Sequence, residues 1–358
     1  MDLHEGLELN ERVRLVRPLA KGGMADLWVA EHTALGVEVA VKILAPATAQ
    51  EPTARRRLVR EARVTSKVRC PHVVRVLDQG LAFGDDPFVV MELLHGEDLA
   101  ARIERAGRLS VAETRTIVQH VSLALQEAHG VGVIHRDVKP ANVFLTEAPE
   151  GLLAKLVDFG IAKDLSEAMI DLTRADAVMG TPPFMSPEQV QSPRDVDSRC
   201  DLWSLAVVAY SCLTGKIPFD GETFGAVCIA IFLGRFDLAS RERPELGASV
   251  DAFFAKALCQ SIEHRYQSAR AFATAFREAT CSEVCPDDGD GSGPMSQAQA
   301  RVYTAATLLV LDGVDDAPDG ADVETTDNLP FELARPRSGV QPRTRAGVFW
   351  GRAGRGRT

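Results

Sequence analysis

The stretch from Leu202 to Leu213 is apolar on almost every side. A helix with that pattern does not lie on a surface. It runs through the middle of a domain, with other layers packed around it. Gly215 follows as the residue expected to end it. A chain of 358 residues is too long for one small core. It suits one two-lobed domain with a tail. With 46% hydrophobic and 25% charged residues, the composition is that of an ordinary globular protein.

Charge and cysteine usage exclude several classes. A net charge of −10 argues against nucleic-acid binding as the main activity. The first residues, from Met1 to Leu15, lack a basic segment followed by an apolar core, so no signal peptide is expected there. No apolar run reaches the ~18 residues of a membrane span. The best run, Ala305 to Leu311, is far shorter, so no membrane association is expected. Seven cysteines, an odd number without framework spacing, predict a reducing compartment, the cytoplasm. Cys281 and Cys285 have no second pair and read as plain thiols rather than a metal site.

Three regions separate on pattern. Residues 13–92 are strand-rich with one helix, residues 96–279 are mostly helical, and the composition changes from Cys281 onward. Asp287 to Gly293 is acidic and glycine-rich, Asp312 to Asp327 is acidic, and the last residues carry Arg343, Arg345, Arg352, Arg355 and Arg357. Such a segment buries little apolar surface, so residues 280–358 are expected to be a disordered tail.

Within the first region, Val37 to Leu44 alternates. Val37, Val39, Val41 and Ile43 share one face, while Ala40, Lys42 and Leu44 share the other. Lys42 is read either as part of a solvated edge-strand face or as a lysine aimed into a cleft. Thr53 to Val68 reads as a helix with Leu58, Glu61, Thr65 and Val68 on one stripe. A carboxylate in that stripe needs a cation, and Lys42 is the candidate. Ala112 to Ala128 is an amphipathic helix, Val133 and Ile134 form a short apolar step, and Leu152 to Val157 is a strand running into Asp158.

Three motifs carry chemistry. Leu19 to Leu27 holds Gly22 and Gly23 between two strands, where missing Cβ atoms let backbone N–H groups approach phosphate oxygens. A Gly-Gly hairpin turn is the plain alternative for this loop taken alone. The second motif is His135-Arg136-Asp137-Val138-Lys139-Pro140-Ala141-Asn142, and the third is Asp158-Phe159-Gly160. With the Val39 to Lys42 strand they occur in the order and at the separations of protein kinases. Gly180 to Glu188, Asp201 to Ser204 and Arg265 add to the match. The chain therefore resembles a bacterial, eukaryotic-like (Hanks-type) serine/threonine protein kinase over roughly residues 10–279.

The resemblance implies an α+β fold of two lobes: a small β-rich N-lobe with one helix, about residues 10–92, and a larger helical C-lobe, about 96–279. It implies ATP and Mg²⁺ as cofactors and protein serine or threonine hydroxyls as substrates. Lys42 would hold the α- and β-phosphates and Glu61 would hold Lys42. Asn142 and Asp158 would supply hard oxygen ligands to Mg²⁺. Asp137 would orient the attacking hydroxyl and take its proton, and Lys139 would meet the γ-phosphate. Leu19, Leu27 and Ala40 would roof the adenine and Phe144 would floor it, with Met91 guarding the back. The backbone of Glu92 and Leu94 would hydrogen-bond the base. Glu188 and Arg265 resemble a structural ion pair, and Asp201 would brace the catalytic loop through its backbone.

The sequence departs from the family pattern in the glycine loop, which reads Ala20-Lys21-Gly22-Gly23-Met24-Ala25, followed by Asp26 and Leu27. Alanine replaces the first and third glycines, and this supports an alternative, a catalytically impaired kinase-fold scaffold. Gly22 keeps the central position and Gly23 adds freedom beside it, so ATP binding is expected to survive. Leu27 stands where valine is commoner, a mild change. Thr181 is expected in the peptide platform. Thr173, eight residues before it, is expected to be the activation-loop phosphosite, filled in trans by a transient homodimer and read by Arg136.

Overall fold

The computed structural model describes residues 3–45, 48–83, 86–149, 151–159, 182–192 and 196–281. Gly160, Thr173, Thr181 and residues 282–358 therefore lie outside the described residues.

The first lobe is a six-stranded antiparallel sheet in the order β1-β2-β3-β4-β6-β5. Its strands are β1 (Glu8–Asn10), β2 (Val13–Ala20), β3 (Ala25–His32), β4 (Val37–Leu44), β5 (Val76–Ala82) and β6 (Asp86–Glu92). Alternation puts Val39, Val41 and Ile43 of β4 into one apolar cluster with Leu15, Trp28 and Val90. Leu44, on the opposite face, packs with Val89 against helix α1 (Pro52–Thr65), through Leu58 and Ala62. Val37, expected on the first face, is exposed at the start of β4, before the core closes over the strand. The helix expected to reach Val68 ends at Thr65, and Val68 is buried in the turn beyond it. The lobe also begins earlier than residue 10: Leu9 is buried in β1, with Leu3 and Leu7 packed against the same cluster.

The second lobe is built around α5 (Arg199–Thr214). Every residue from Cys200 to Leu213 is buried, as the all-round apolar pattern requires. Gly215 ends the helix in the left-handed conformation at φ +74°, and a Cβ there would come within 2.1 Å of the Gly107 carbonyl oxygen. Around α5 lie α2 (Leu99–Ala106), α3 (Val111–Gly130), α4 (Pro187–Gln191), α6 (Phe224–Leu233), α7 (Gly247–Ala257) and α8 (Ala269–Cys281). Asp98 caps α2 and Ser110 caps α3, each accepting a hydrogen bond from a backbone N–H three residues on. Helix α8 packs on α3, and Arg115 donates to the Thr280 carbonyl at 2.8 Å. The packed fold thus runs through Cys281, two residues beyond the expected boundary. A small antiparallel sheet, β7 (Gly96–Asp98), β8 (Val143–Ala148) and β9 (Gly151–Leu156), lies in this second lobe. No strand forms at Val133–Ile134. Val73 pairs with Leu156, so the segment after α1 is stitched to β9.

Candidate active site

Lys42 on β4, Glu61 on α1 and Asp158 after β9 meet in one cluster. Lys42 Nζ donates to Glu61 Oε1 at 2.9 Å and to Asp158 Oδ1 at 2.8 Å. The β4 pleat aims Lys42 away from the valine core, and α1 presents Glu61 one turn before the buried Thr65. Of the two readings of Lys42, the cleft-facing one holds. Burial disfavours the charged amine, yet the Asp158 and Glu61 carboxylates outweigh it and hold Lys42 well above its ordinary pKa. Burial also pushes the Glu61 carboxyl up, and Lys42 only partly offsets this. For Asp158 burial acts in the same direction, but the Lys42 charge and hydrogen bond win and hold the carboxyl below its ordinary value.

A second cluster forms on the loop after α3. Asn142 donates through Nδ2 to the Asp137 carbonyl at 2.9 Å and to Asp137 Oδ2 at 3.0 Å. Lys139 Nζ lies 3.1 Å from the same Oδ2. Asp137 is buried, so its carboxylate is fixed in direction. With its amide nitrogen committed to Asp137, Asn142 has its side-chain carbonyl oxygen as the atom that could serve a metal. Among the described residues the Asp158 carboxylate is engaged through Oδ1, by Lys42. These two hard oxygen donors fit Mg²⁺.

The loop is held from below. Asp201, fully buried at the start of α5, accepts from the His135 N–H at 2.9 Å and the Arg136 N–H at 2.7 Å. His129 Nε2 donates to it at 2.8 Å. Burial alone would raise this carboxyl; the His129 hydrogen bond and the imidazole and backbone donors keep it below its ordinary value. Arg136 and Asp158 take left-handed φ angles of +65° and +53°. Non-glycine residues hold that conformation only where their surroundings enforce it. For Arg136 these are Asp201 and Gln189, whose Nε2 donates to the Arg136 carbonyl at 3.0 Å. For Asp158 they are Lys42 and the buried Phe159, whose ring lies 4.7 Å from that of His135. Glu188 on α4 and the buried Arg265 form a two-pronged ion pair at 2.8 and 2.9 Å, and the guanidinium stands 4.7 Å over Trp203.

The glycine loop joins β2 to β3, with Lys21, Gly22, Gly23 and Met24 between Ala20 and Ala25. A Cβ on Gly22 would meet the Ala25 carbonyl oxygen at 2.6 Å, so this position requires glycine. Gly23 has open space. The Gly22 N–H donates to Asp26 Oδ1 at 3.3 Å. Among the expected adenine contacts, Ala40 pairs with Met91 across β4 and β6, and Leu27 pairs with Lys42. Leu19 is exposed on β2, Phe144 is half-buried on β8, and Leu94 lies in the connection before β7. The Glu92 N–H is taken by the Arg75 carbonyl at 3.0 Å and is not free for a base. Sequence reasoning missed two supports, His129 and Gln189, while Asp26, expected in the nucleotide loop, braces Gly22. Gln189 had a signal, because Ser186 and Gln189 form a capping box with the familiar three-residue spacing.

The family model for the protein kinase domain matches residues 13–276. Pkn1 of Myxococcus xanthus, a serine/threonine-protein kinase, is 35% identical over 335 residues, 92% of this chain and 44% of that protein. PknH of Mycobacterium tuberculosis is 36% identical over 291 residues, 81% of this chain and 45% of that protein. The chain thus spans less than half the length of either relative. The solved kinase domain of M. tuberculosis PknI superposes with a TM-score of 0.60 at 30% identity, covering 78% of this chain and all of that one. The chain belongs to the protein kinase domain family, in its branch of bacterial Hanks-type serine/threonine kinases.

Proposed function

We propose that this chain transfers the γ-phosphoryl group of ATP to serine and threonine hydroxyls of proteins. The observation that carries this reading is Lys42, bonded at once to Glu61 and Asp158, beside an Asp137 fixed by Asn142 and Lys139. Phosphoryl transfer asks a protein mainly to position groups and to stabilise spread negative charge. Lys42, held in its charged form, supplies a cation to the α- and β-phosphates. Asn142 and Asp158 would hold Mg²⁺, which supplies charge neutralisation when bound. Asp137, aimed by Asn142, receives the proton of the acceptor hydroxyl. Lys139 shares that carboxylate and meets the charge of the transferred group. Gly22 permits the loop to close over phosphates, which favours an active enzyme over an impaired scaffold despite Ala20 and Ala25.

Regulation follows from Arg136, whose backbone is locked on Asp201 directly before Asp137. Phosphate on Thr173, added in trans by a transient homodimer, would pair with it and order the platform at Thr181. Mass spectrometry of protein made in a host without phosphatase should find phosphate on Thr173, and Asp137→Asn protein should lack it. A Thr173→Ala protein with full activity contradicts this part. The transfer itself is tested by incubating the chain with Mg²⁺, γ-labelled ATP and casein. Label on serine and threonine is the expected result.

A further inference from the structure

A cavity of 560 Å³ opens behind the segment that joins α1 to β5. That size falls within the ~300–1,000 Å³ of small-molecule sites. Val68, Val73, Val74 and Val76 make its apolar walls, and Thr65 and Ser66 add hydroxyls at the end of α1. Arg69, Arg75 and Lys155 make its polar side. One carboxylate, Glu92, lines it and is already committed: Oε1 accepts from Lys155 Nζ at 2.6 Å and from the Arg75 N–H at 2.8 Å. The Arg69 and Arg75 side chains are exposed, and neither guanidinium is paired among the described residues. An apolar pocket with two uncommitted guanidiniums suits a compact apolar body carrying a carboxylate, sulfonate or phosphate group.

The cavity shares a wall with the catalytic cluster. Thr65, Val74 and Val76 also line the smaller cavity that contains Lys42, Glu61 and Asp158. Thr65 lies one helical turn beyond Glu61 on α1. Glu92 lies at the end of β6, on the backbone expected to meet the adenine. An occupant therefore bears on the last turn of α1 and on the Lys155–Glu92 pair together. We propose that this cavity is a regulatory site for a small amphipathic organic anion, linked to nucleotide binding through α1 and Glu92. Binding in the cavity is independent of the reading of the chain as a kinase; the linkage rests on it.

Cys70 lines the cavity and is half-buried, while Cys281 is exposed at the far end of α8. The full chain is treated with iodoacetamide with and without 8-anilinonaphthalene-1-sulfonate, and peptide mass spectrometry reads each cysteine. Dye at about ten times its dissociation constant should slow alkylation of Cys70 by roughly tenfold and leave Cys281 unchanged. The Arg69→Glu, Arg75→Glu double variant, altered only at exposed positions, should lose that protection with its melting temperature maintained. No protection of Cys70 in the unaltered chain overturns the site, as does equal protection in the double variant. Mg²⁺-ADP should shift the half-protecting dye concentration by about fivefold, with the reciprocal shift in ADP affinity. Unshifted dye binding by a chain that binds ADP overturns the linkage. A chain that binds dye but no ADP contradicts the kinase reading and leaves the cavity assignment standing.

Discussion

Lys42 carries two carboxylates at once, and this decides what its neighbours do when one is lost. Removing one partner of a fully buried ion pair costs ~3–5 kcal/mol, because the other charge is stranded. In Glu61→Ala, Lys42 keeps Asp158, so the stability loss should fall below that range in denaturant titration. Activity should fall further: with Asp158 pulled onto Lys42 alone, kcat should drop by at least about tenfold, ~1.4 kcal/mol of barrier. A normal kcat contradicts the role given to Glu61. The pair itself was legible in the sequence, because a lysine on a pleat and a glutamate in an apolar helical stripe each lacked an explanation alone. Its third member, Asp158, was legible only as part of a motif, since 116 residues separate it from Lys42. His129 gave no signal at all, being an ordinary helix-end residue until the fold brings it to Asp201.

At the scale of elements, the boundaries were the less legible part. Helix α1 starts on Pro52 without a side-chain cap and stops at Thr65 although the apolar stripe continues to Val68. The chain leaves the helix there because Val73 and Val74 must reach β9, a demand from the other lobe that local pattern does not contain. That crossing is also where a pH effect should appear. His72 stacks on His120 at 4.2 Å; His72 Nδ1 bonds the Ala154 carbonyl and His120 Nδ1 accepts the Ala154 N–H. Burial, with His72 nearby, lowers the His120 pKa from 6.5 to about 4, and burial lowers His72 as well. The unfolded chain therefore binds more protons across this window, so the contribution is present above pH 6.5 and is lost as pH falls toward about 4. His120→Gln should flatten the fall of melting temperature between those values, and parallel curves would contradict it. A second junction, Glu188–Arg265, ties α4 to the turn before α8. Arg265 is almost fully buried and also donates to the Cys259 carbonyl, so Arg265→Ala should cost about 3–5 kcal/mol in denaturant unfolding. A loss under about 1 kcal/mol would place this pair with ordinary surface ion pairs.

At the scale of the whole molecule, the all-round apolar helix α5 announced the architecture: its burial forces a large helical lobe, and the alternating strands before it form the other. Among the described residues no helix is long and apolar enough to cross a membrane. The polar, charge-blocked composition after Cys281 predicts that deleting residues 286–358 leaves melting temperature and rate nearly unchanged. A shift of several degrees on truncation would mean that these residues pack on the domain. In the proposed transfer, Asp137 directs an acceptor hydroxyl toward ATP. The most direct test is label transfer from γ-labelled ATP to casein with Mg²⁺, comparing the unaltered chain with Asp137→Asn. The unaltered chain should label serine and threonine, and the variant should keep its melting temperature and lose roughly 10²–10⁴-fold in rate. An unaltered chain that transfers no label, or a variant that keeps more than about a tenth of the rate, would contradict it.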